Sequence, residues 1–281
     1  MSSATPHTLA GKVAVVSGSS AGIGASIAKE LSKRGASVVV NYPFASEEAD
    51  AKAVLESIHS SGDGDNRRSI AVEADLSTID GPKKLAAAAS ETFGRVDILV
   101  NNAGYSFICD IAEMSEADLE RAWDRIVNLN GRGTMFLTRA IVPLLPSSSS
   151  SSSSPAEKGS VRSRIVNIGS STSRDPDPDM TIYAGSKGMV ESFTRCWARD
   201  FPRRYGCTVN TVAPGPVATD SFLAAPEELL NHVRAKFDRV PVASRFARPE
   251  EIAWVVAELC EERAGWLNGL YIPVTGGATL L

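Results

Sequence analysis

Val13-Ala14-Val15-Val16-Ser17-Gly18-Ser19-Ser20-Ala21-Gly22-Ile23-Gly24 joins a β-branched run to a glycine-rich turn and then to a helix. The run Val13–Val16 reads as a buried strand. Ala25, Ile27, Ala28 and Leu31 follow at helical spacing, and Gly35 closes a helix predicted over Gly22–Arg34. Glycines between strand and helix permit a tight turn. They also let the backbone approach a pyrophosphate, which the helix N-terminus favours as an anion. The spacing G-x-x-x-G-x-G has structural explanations of its own, so the turn alone decides nothing about chemistry.

The same alternation continues outward. Strands are expected at Ser37–Asn41, Ser69–Ala74, Asp97–Asn101, Arg164–Ile168, Thr208–Val212 and Leu270–Val274. Helical stretches intervene, among them Glu47–Ser60 and Leu85–Phe93. Strands alternating with helices of this length imply parallel βαβ units. Near-continuous apolar strands fit a sheet covered on both faces. The expected fold is α/β: a single Rossmann-like, doubly wound domain over residues 1–281, with a seven-stranded parallel sheet and helices on both faces. Residues 1–9 read as an N-terminal tail and 220–246 as a lid over the substrate. Residues 147–163 read as a serine-rich insert. Its eight serines, Ser147 to Ser154, bury too little apolar surface to offset their ordering entropy. The insert enters the following strand at its N-terminal end, away from the carboxyl ends where such sheets bind ligands.

Bulk properties narrow the function classes. A net charge of −4 over 281 residues leaves no basic footprint for nucleic acid. No apolar stretch reaches the roughly 18–20 residues of a membrane span. The first ten residues lack the apolar core of a signal peptide, so a cytoplasmic location is expected. Four dispersed cysteines without a CxxC pair and three isolated histidines argue against a disulfide framework or a metal site.

Chemistry-bearing residues fall where strands end. Asp75 closes the third strand, where a carboxylate can accept from an adenine amino group. Asn101-Asn102-Ala103-Gly104 closes the fourth, with short side chains that let the backbone pass close to a cofactor. Ser170 follows the fifth strand, and Tyr183 and Lys187 stand one helical turn apart on one face of the next helix. Taken together, the chain resembles the short-chain dehydrogenases/reductases. The residues that carry this are Gly18, Gly22 and Gly24; Asn101–Gly104; Asn130; Ser170; Tyr183 with Lys187; and Pro214-Gly215-Pro216-Val217-Ala218-Thr219. The match runs from about Leu9 to Gly277. Around Gly169-Ser170, Tyr183–Gly188 and Glu191–Cys196 the chain is similar to fungal hydroxynaphthalene reductases, which lie close to the 3-oxoacyl carrier-protein reductases.

That resemblance implies roles. Tyr183 would be the general acid in ketone reduction, and Lys187 would lower its pKa and reach the nicotinamide ribose. Ser170 would orient the carbonyl, with Ser171 as the alternative. Asn130, preferred to Asn128, would hold a relay water. Cofactor contacts would come from Gly18, Ser20, Gly22, Ile23, Gly24, Asn41, Ser46, Asp75, Asn102, Ala103, Gly104, Tyr183, Lys187, Pro214, Gly215, Val217 and Thr219. The second strand ends Val40-Asn41-Tyr42 with no carboxylate before Glu47, so the repulsion that excludes a 2′-phosphate is missing, and NADPH is expected over NADH. No Lys or Arg stands at Ala21 or within Tyr42–Ser46 to pair that phosphate. Phe107, Ser171, Phe222 and Phe237 are candidate substrate contacts, though the apolar residues of 220–246 would equally dock the lid. Asp175, Asp177 and Asp179 line another loop that could favour a polar substrate or be a solvated turn.

The expected reaction is NADPH-dependent reduction of a ketone to a secondary alcohol in secondary metabolism, on a polyketide-type or other hydrophobic carbonyl compound. The alternatives are an NAD-dependent alcohol or polyol dehydrogenase and a non-redox or regulatory protein on the same scaffold. The family also implies a homodimer or homotetramer.

Overall fold

The computed structural model describes residues 7–60, 68–146, 162–225, 227–234 and 240–280. Among them a seven-stranded sheet has the order β3-β2-β1-β4-β5-β6-β7, and every pairing is parallel. The strands are β1 (Val13–Val16), β2 (Ser37–Tyr42), β3 (Ile70–Glu73), β4 (Ile98–Asn101), β5 (Ser163–Ile168), β6 (Cys207–Pro214) and β7 (Tyr271–Val274). The expected architecture is present. The main boundary difference is β6, which runs two residues further than read, because its pairing with β7 carries Pro214 opposite Val274.

Side chains alternate across the sheet with the period of two that a strand imposes. Ala14, Val16, Val38, Val40, Ile98 and Val100 point to one face. There they pack under α1 (Gly22–Lys33), α2 (Glu48–Ser60) and the C-terminal helix Pro249–Cys260. Val15, Val39, Leu99, Ile165 and Val209 point to the other. They meet α3 (Gly81–Phe93), the helix Thr134–Ile141 and the long helix Thr181–Tyr205. Full burial of such a side chain contributes about 1.5–3 kcal/mol, so the two clusters together fix the layers. Leu9, placed by the sequence in the tail, is 1% exposed and belongs to the first cluster. The serine-rich insert lies outside the described residues except at Arg162 and Ser163.

Strand order reverses between β1 and β4, and the crevice at that switch point opens at the carboxyl ends. Below it runs a buried polar chain. Asn101 Nδ2 donates to Thr138 Oγ1 (2.9 Å) and to Asn167 Oδ1 (2.8 Å). Asn167 Nδ2 donates to Thr194 Oγ1, which meets Thr211 Oγ1 at 2.7 Å. These bonds tie β4, β5 and β6 to two helices under the crevice, so the floor of the site is rigid.

Candidate active site

The glycine turn is built by close approaches that exclude side chains. A Cβ on Gly24 would fall 2.1 Å from the Gly18 carbonyl oxygen, and one on Gly18, at φ +57°, would fall 2.9 Å from Ala103 Cα. Asn102 Nδ2 clamps the turn by donating to Ser17 O (2.9 Å) and Gly18 O (2.8 Å). Ser17 Oγ accepts from the amides of Asn102 and Ala103 at 2.9 and 3.0 Å. Ser17 was missed as a contributor, and so was Ser19, whose Oγ accepts from Asn41 N at 2.9 Å. Their signal was their place within the glycine run.

Asn41 differs from its expected role. Its Oδ1 accepts from Gly18 N at 2.9 Å, and its Nδ2 faces the carbonyls of Tyr42, Val72 and Ala74 at 3.0–3.3 Å. At 2% exposure the side chain holds the turn from beneath and has no reach to a phosphate. Ser20, buried, donates to Glu47 Oε2 at 2.7 Å, and Ser46 is exposed beside it. The carboxylate that the sequence set too far along the chain is thus drawn back onto the turn. Asp75 Oδ1 accepts from Ser77 N and Oγ.

The site suits a dinucleotide. The residue before α1, Ala21, offers no side-chain cap, and the first turn of the helix carries no acidic residue. Its first amides therefore open onto the crevice as anion donors. Ile23 packs on the core beneath. Thr219 lies against Gly22, whose Cβ would come 3.1 Å from its Cγ2. Thr219 Oγ1 caps the short helix Asp220–Leu223 by accepting from Phe222 N. Pro214 ends β6, Gly215 N donates to Val274 O, and Val217 is buried on a bridge to Ala247. The turn at 18–24, the segment 102–104 and the segment 214–219 thus surround one crevice.

Ser170, Tyr183, Lys187 and Asn130 converge beside it. Ser170 Oγ accepts from Thr172 Oγ1 (2.7 Å) and Thr172 N (3.2 Å), and it is hydrogen-bonded to Tyr183. Two donors into one hydroxyl oxygen direct its own proton outward. Thr172 was missed, although it stands two residues on. Tyr183 has its pKa raised by burial, with the Ser170 bond opposing. That is the reverse of the expected lowering. Lys187 sits 5.9 Å from the Tyr183 ring centre and gives its ammonium to Ile168 O at 2.8 Å, so desolvation dominates the phenol. Lys187 itself is brought down by burial to about 8.

Asn130 lies in a π-helical turn, Asn128–Gly133, between two α-helices. Such turns open the regular ladder and recur at functional sites. Its amide brackets Tyr105, accepting from Tyr105 N (2.8 Å) and donating to Tyr105 O (3.0 Å), and it also donates to Ser186 Oγ (2.9 Å). Both amide hydrogens are therefore committed to protein. A Cβ on Gly104 would lie 3.2 Å from Lys187 Nζ and 3.3 Å from Asn130 Oδ1. Asn128 is on the same turn but makes none of these contacts.

Of the substrate candidates, Phe107 is 41% exposed, and Ser171 starts the 3-10 turn Ser171–Ser173. Phe222 packs edge-on against Phe246, ring centres 5.2 Å apart, a contact that joins the two ends of the 220–246 segment. Phe237 lies outside the described residues. In the aspartate loop, Asp175 accepts from Thr279 Oγ1, and the Asp179 carbonyl accepts from Cys109 N at 2.8 Å. No cluster able to hold a metal occurs among the described residues.

A family model described as short chain dehydrogenase matches residues 12–229. The chain is 38% identical to a short-chain dehydrogenase/reductase, FrzI, of a Cladobotryum species, over 97% of each chain. It is 37% identical to a hydroxynaphthalene reductase-like protein, Arp2, of Metarhizium majus, covering 98% of this chain and 97% of that one. A blue fluorescent protein from a metagenomic library, solved in complex with NADPH, superposes with a TM-score of 0.82 at 31% identity, covering 97% of this chain and 100% of that one.

Proposed function

This chain belongs to the short-chain dehydrogenase/reductase family of NAD(P)-dependent oxidoreductases, and from that premise we propose that it reduces a ketone to a secondary alcohol at the expense of NADPH. The observation that carries the reading is the convergence of a buried Tyr183 hydroxyl, hydrogen-bonded to Ser170, with the Lys187 ammonium 5.9 Å from its ring centre: a proton donor and a carbonyl-orienting hydroxyl side by side.

NADPH, when bound, supplies the hydride. The turn at Gly18–Gly24 and the open amides of α1 would hold its pyrophosphate. Ser170, with its oxygen held by Thr172, presents its proton to the substrate carbonyl and orients it. Tyr183 delivers a proton to the oxygen as charge develops there. Lys187, anchored on Ile168 O, places a cation behind the phenol and within reach of the ribose. It then favours the phenolate that donation leaves behind. Asn130 fixes Tyr105 and Ser186 and so shapes the wall beside Gly104. A relay water at this point would sit on main-chain oxygens freed by the π-turn, since the Asn130 amide hydrogens are spent.

Support for NADPH comes from the absence of a carboxylate at the end of β2 and from the NADPH-bound neighbour. Glu47, held on Ser20, opposes it and favours the rival reading, an NAD-dependent alcohol dehydrogenase. The likeness to hydroxynaphthalene reductase-like proteins supports an aromatic polyketide ketone in secondary metabolism. The exposed Phe107, Ile108 and Ile111, which follow the segment 102–104 in the chain, support an apolar substrate. A homodimer or homotetramer in the cytoplasm completes the reading. The test is NADPH oxidation with a panel of aromatic polyketide ketones, 3-oxoacyl thioesters and simple diketones. Turnover of one class supports the reading, whereas NAD-linked oxidation of alcohols alone overturns it.

A further inference from the structure

The strand farthest along the chain reaches back to the catalytic serine. Tyr271 opens β7 opposite Thr211 of β6, and its hydroxyl donates to the main-chain carbonyl of Ser170 at 3.1 Å across 101 positions of sequence. That carbonyl also accepts from Ser173 Oγ at 2.8 Å and Ser173 N at 3.1 Å, so three donors converge on one oxygen. Ser173 Oγ has a single proton and two further neighbours, Glu191 Oε2 at 3.2 Å and Tyr271 Oη at 3.5 Å. When that proton turns to Glu191, Tyr271 is the side chain that still holds the carbonyl.

Tyr271 is itself held. The Arg174 guanidinium stacks 3.9 Å above the centre of its ring. Arg174 Nε and Nη2 both donate to Glu191 Oε1, at 3.1 and 2.6 Å, and Arg195 joins the same oxygen. Glu191 is 7% exposed, and its two arginines hold its pKa down against burial, so it stays ionised. A second anchor comes from the same end of the chain, where Thr279 Oγ1 donates to Asp175 Oδ2. The loop that begins at Ser170 is thus fastened to the end of the chain as well as to its own helix.

We propose that Tyr271 is a positioning residue for Ser170: its hydroxyl, braced by the Arg174–Glu191 pair, sets the backbone from which the Ser170 hydroxyl addresses the substrate carbonyl. The proposal rests on the reading of Ser170 as the residue that orients that carbonyl. A small displacement of that backbone mis-aims the hydroxyl without touching the cofactor.

The test is a double-mutant cycle in the full-length protein, using Tyr271→Phe, Ser170→Ala and the pair. The readouts are kcat with the best ketone and NADPH affinity from nicotinamide fluorescence. Tyr271→Phe keeps the ring under Arg174 and removes only the hydroxyl. It is expected to lower kcat about fivefold, with NADPH affinity unchanged. In the Ser170→Ala background the same change should have less than about a twofold effect. An equal loss in both backgrounds, or none in the wild type, overturns the proposal. Should Ser170→Ala leave kcat untouched, the assignment of Ser170 fails first and the inference falls with it, a result that single variant reveals alone. Ser173→Ala serves as a second variant: with both side-chain donors to the Ser170 carbonyl gone, the pair should lose more than the product of the two single effects. A loss equal to that product would count against a shared clamp.

Discussion

Lys187 provides a measurable consequence of placing an ammonium in a closed site. Its nitrogen donates to Ile168 O, and burial brings its pKa from an ordinary 10.5 to about 8. A group whose folded pKa is depressed binds fewer protons in the native than in the unfolded chain between those two values. Stability must therefore rise with pH across that window, and the strain of the buried charge is fully present below about pH 8. The gap corresponds to about 3 kcal/mol in total, of which about 2 kcal/mol should appear by about pH 9.5. Lys187→Met removes the titration and keeps the side-chain length. The Ile168 carbonyl then loses its donor, at about 1–3 kcal/mol, which roughly cancels the relief of the buried charge at neutral pH. Urea unfolding of the cofactor-free wild type and variant should give similar stabilities near neutrality. The wild type should gain about 2 kcal/mol on the variant by about pH 9.5. Groups remote from Lys187 behave alike in both proteins and cancel in the difference. A difference that stays flat from about pH 7.5 to 9.5 would refute the reasoning.

Other residues make narrower predictions. Asn41→Ala strips Gly18 N and the carbonyls of Val72 and Ala74 of their partner, so a loss of about 2–4 kcal/mol in urea unfolding is expected, with weakened NADPH binding. Gly24→Ala forces a methyl against the Gly18 carbonyl; fluorescence titration should show NADPH affinity down at least about tenfold, with a stability loss of about 1–3 kcal/mol. Glu47→Gln removes a carboxylate from the mouth of the turn and should tighten NADPH about threefold while leaving NADH unchanged. Equal effects on both cofactors would place Glu47 away from the 2′-phosphate.

Local pattern was legible in the chain and distant pairing was not. The glycine run, the strand-end asparagines and the Tyr183–Lys187 turn are each contained within a few residues, and the structure brings them to one crevice. Asn41 was misjudged because its type fits a phosphate donor. Its actual partners lie on the neighbouring β3 and on the glycine turn, which only the parallel register brings to it. The lowered tyrosine pKa was expected from a cation one helical turn away. In the folded protein that cation turns to Ile168, and burial outweighs it. Thr172 was within sight but carries no motif. Tyr271 was invisible, since nothing in a sequence links two positions 101 residues apart before the sheet order is known.

The central claim is that Tyr183 protonates a carbonyl while NADPH supplies the hydride. Its most direct test pairs two readings on one variant, Tyr183→Phe: NADPH affinity by fluorescence titration, and NADPH consumption with whichever ketone class the wild type turns over. Affinity within about twofold of the wild type with turnover down at least about 100-fold is the predicted result. Unchanged turnover in Tyr183→Phe would contradict the account, because the proton would then come from elsewhere.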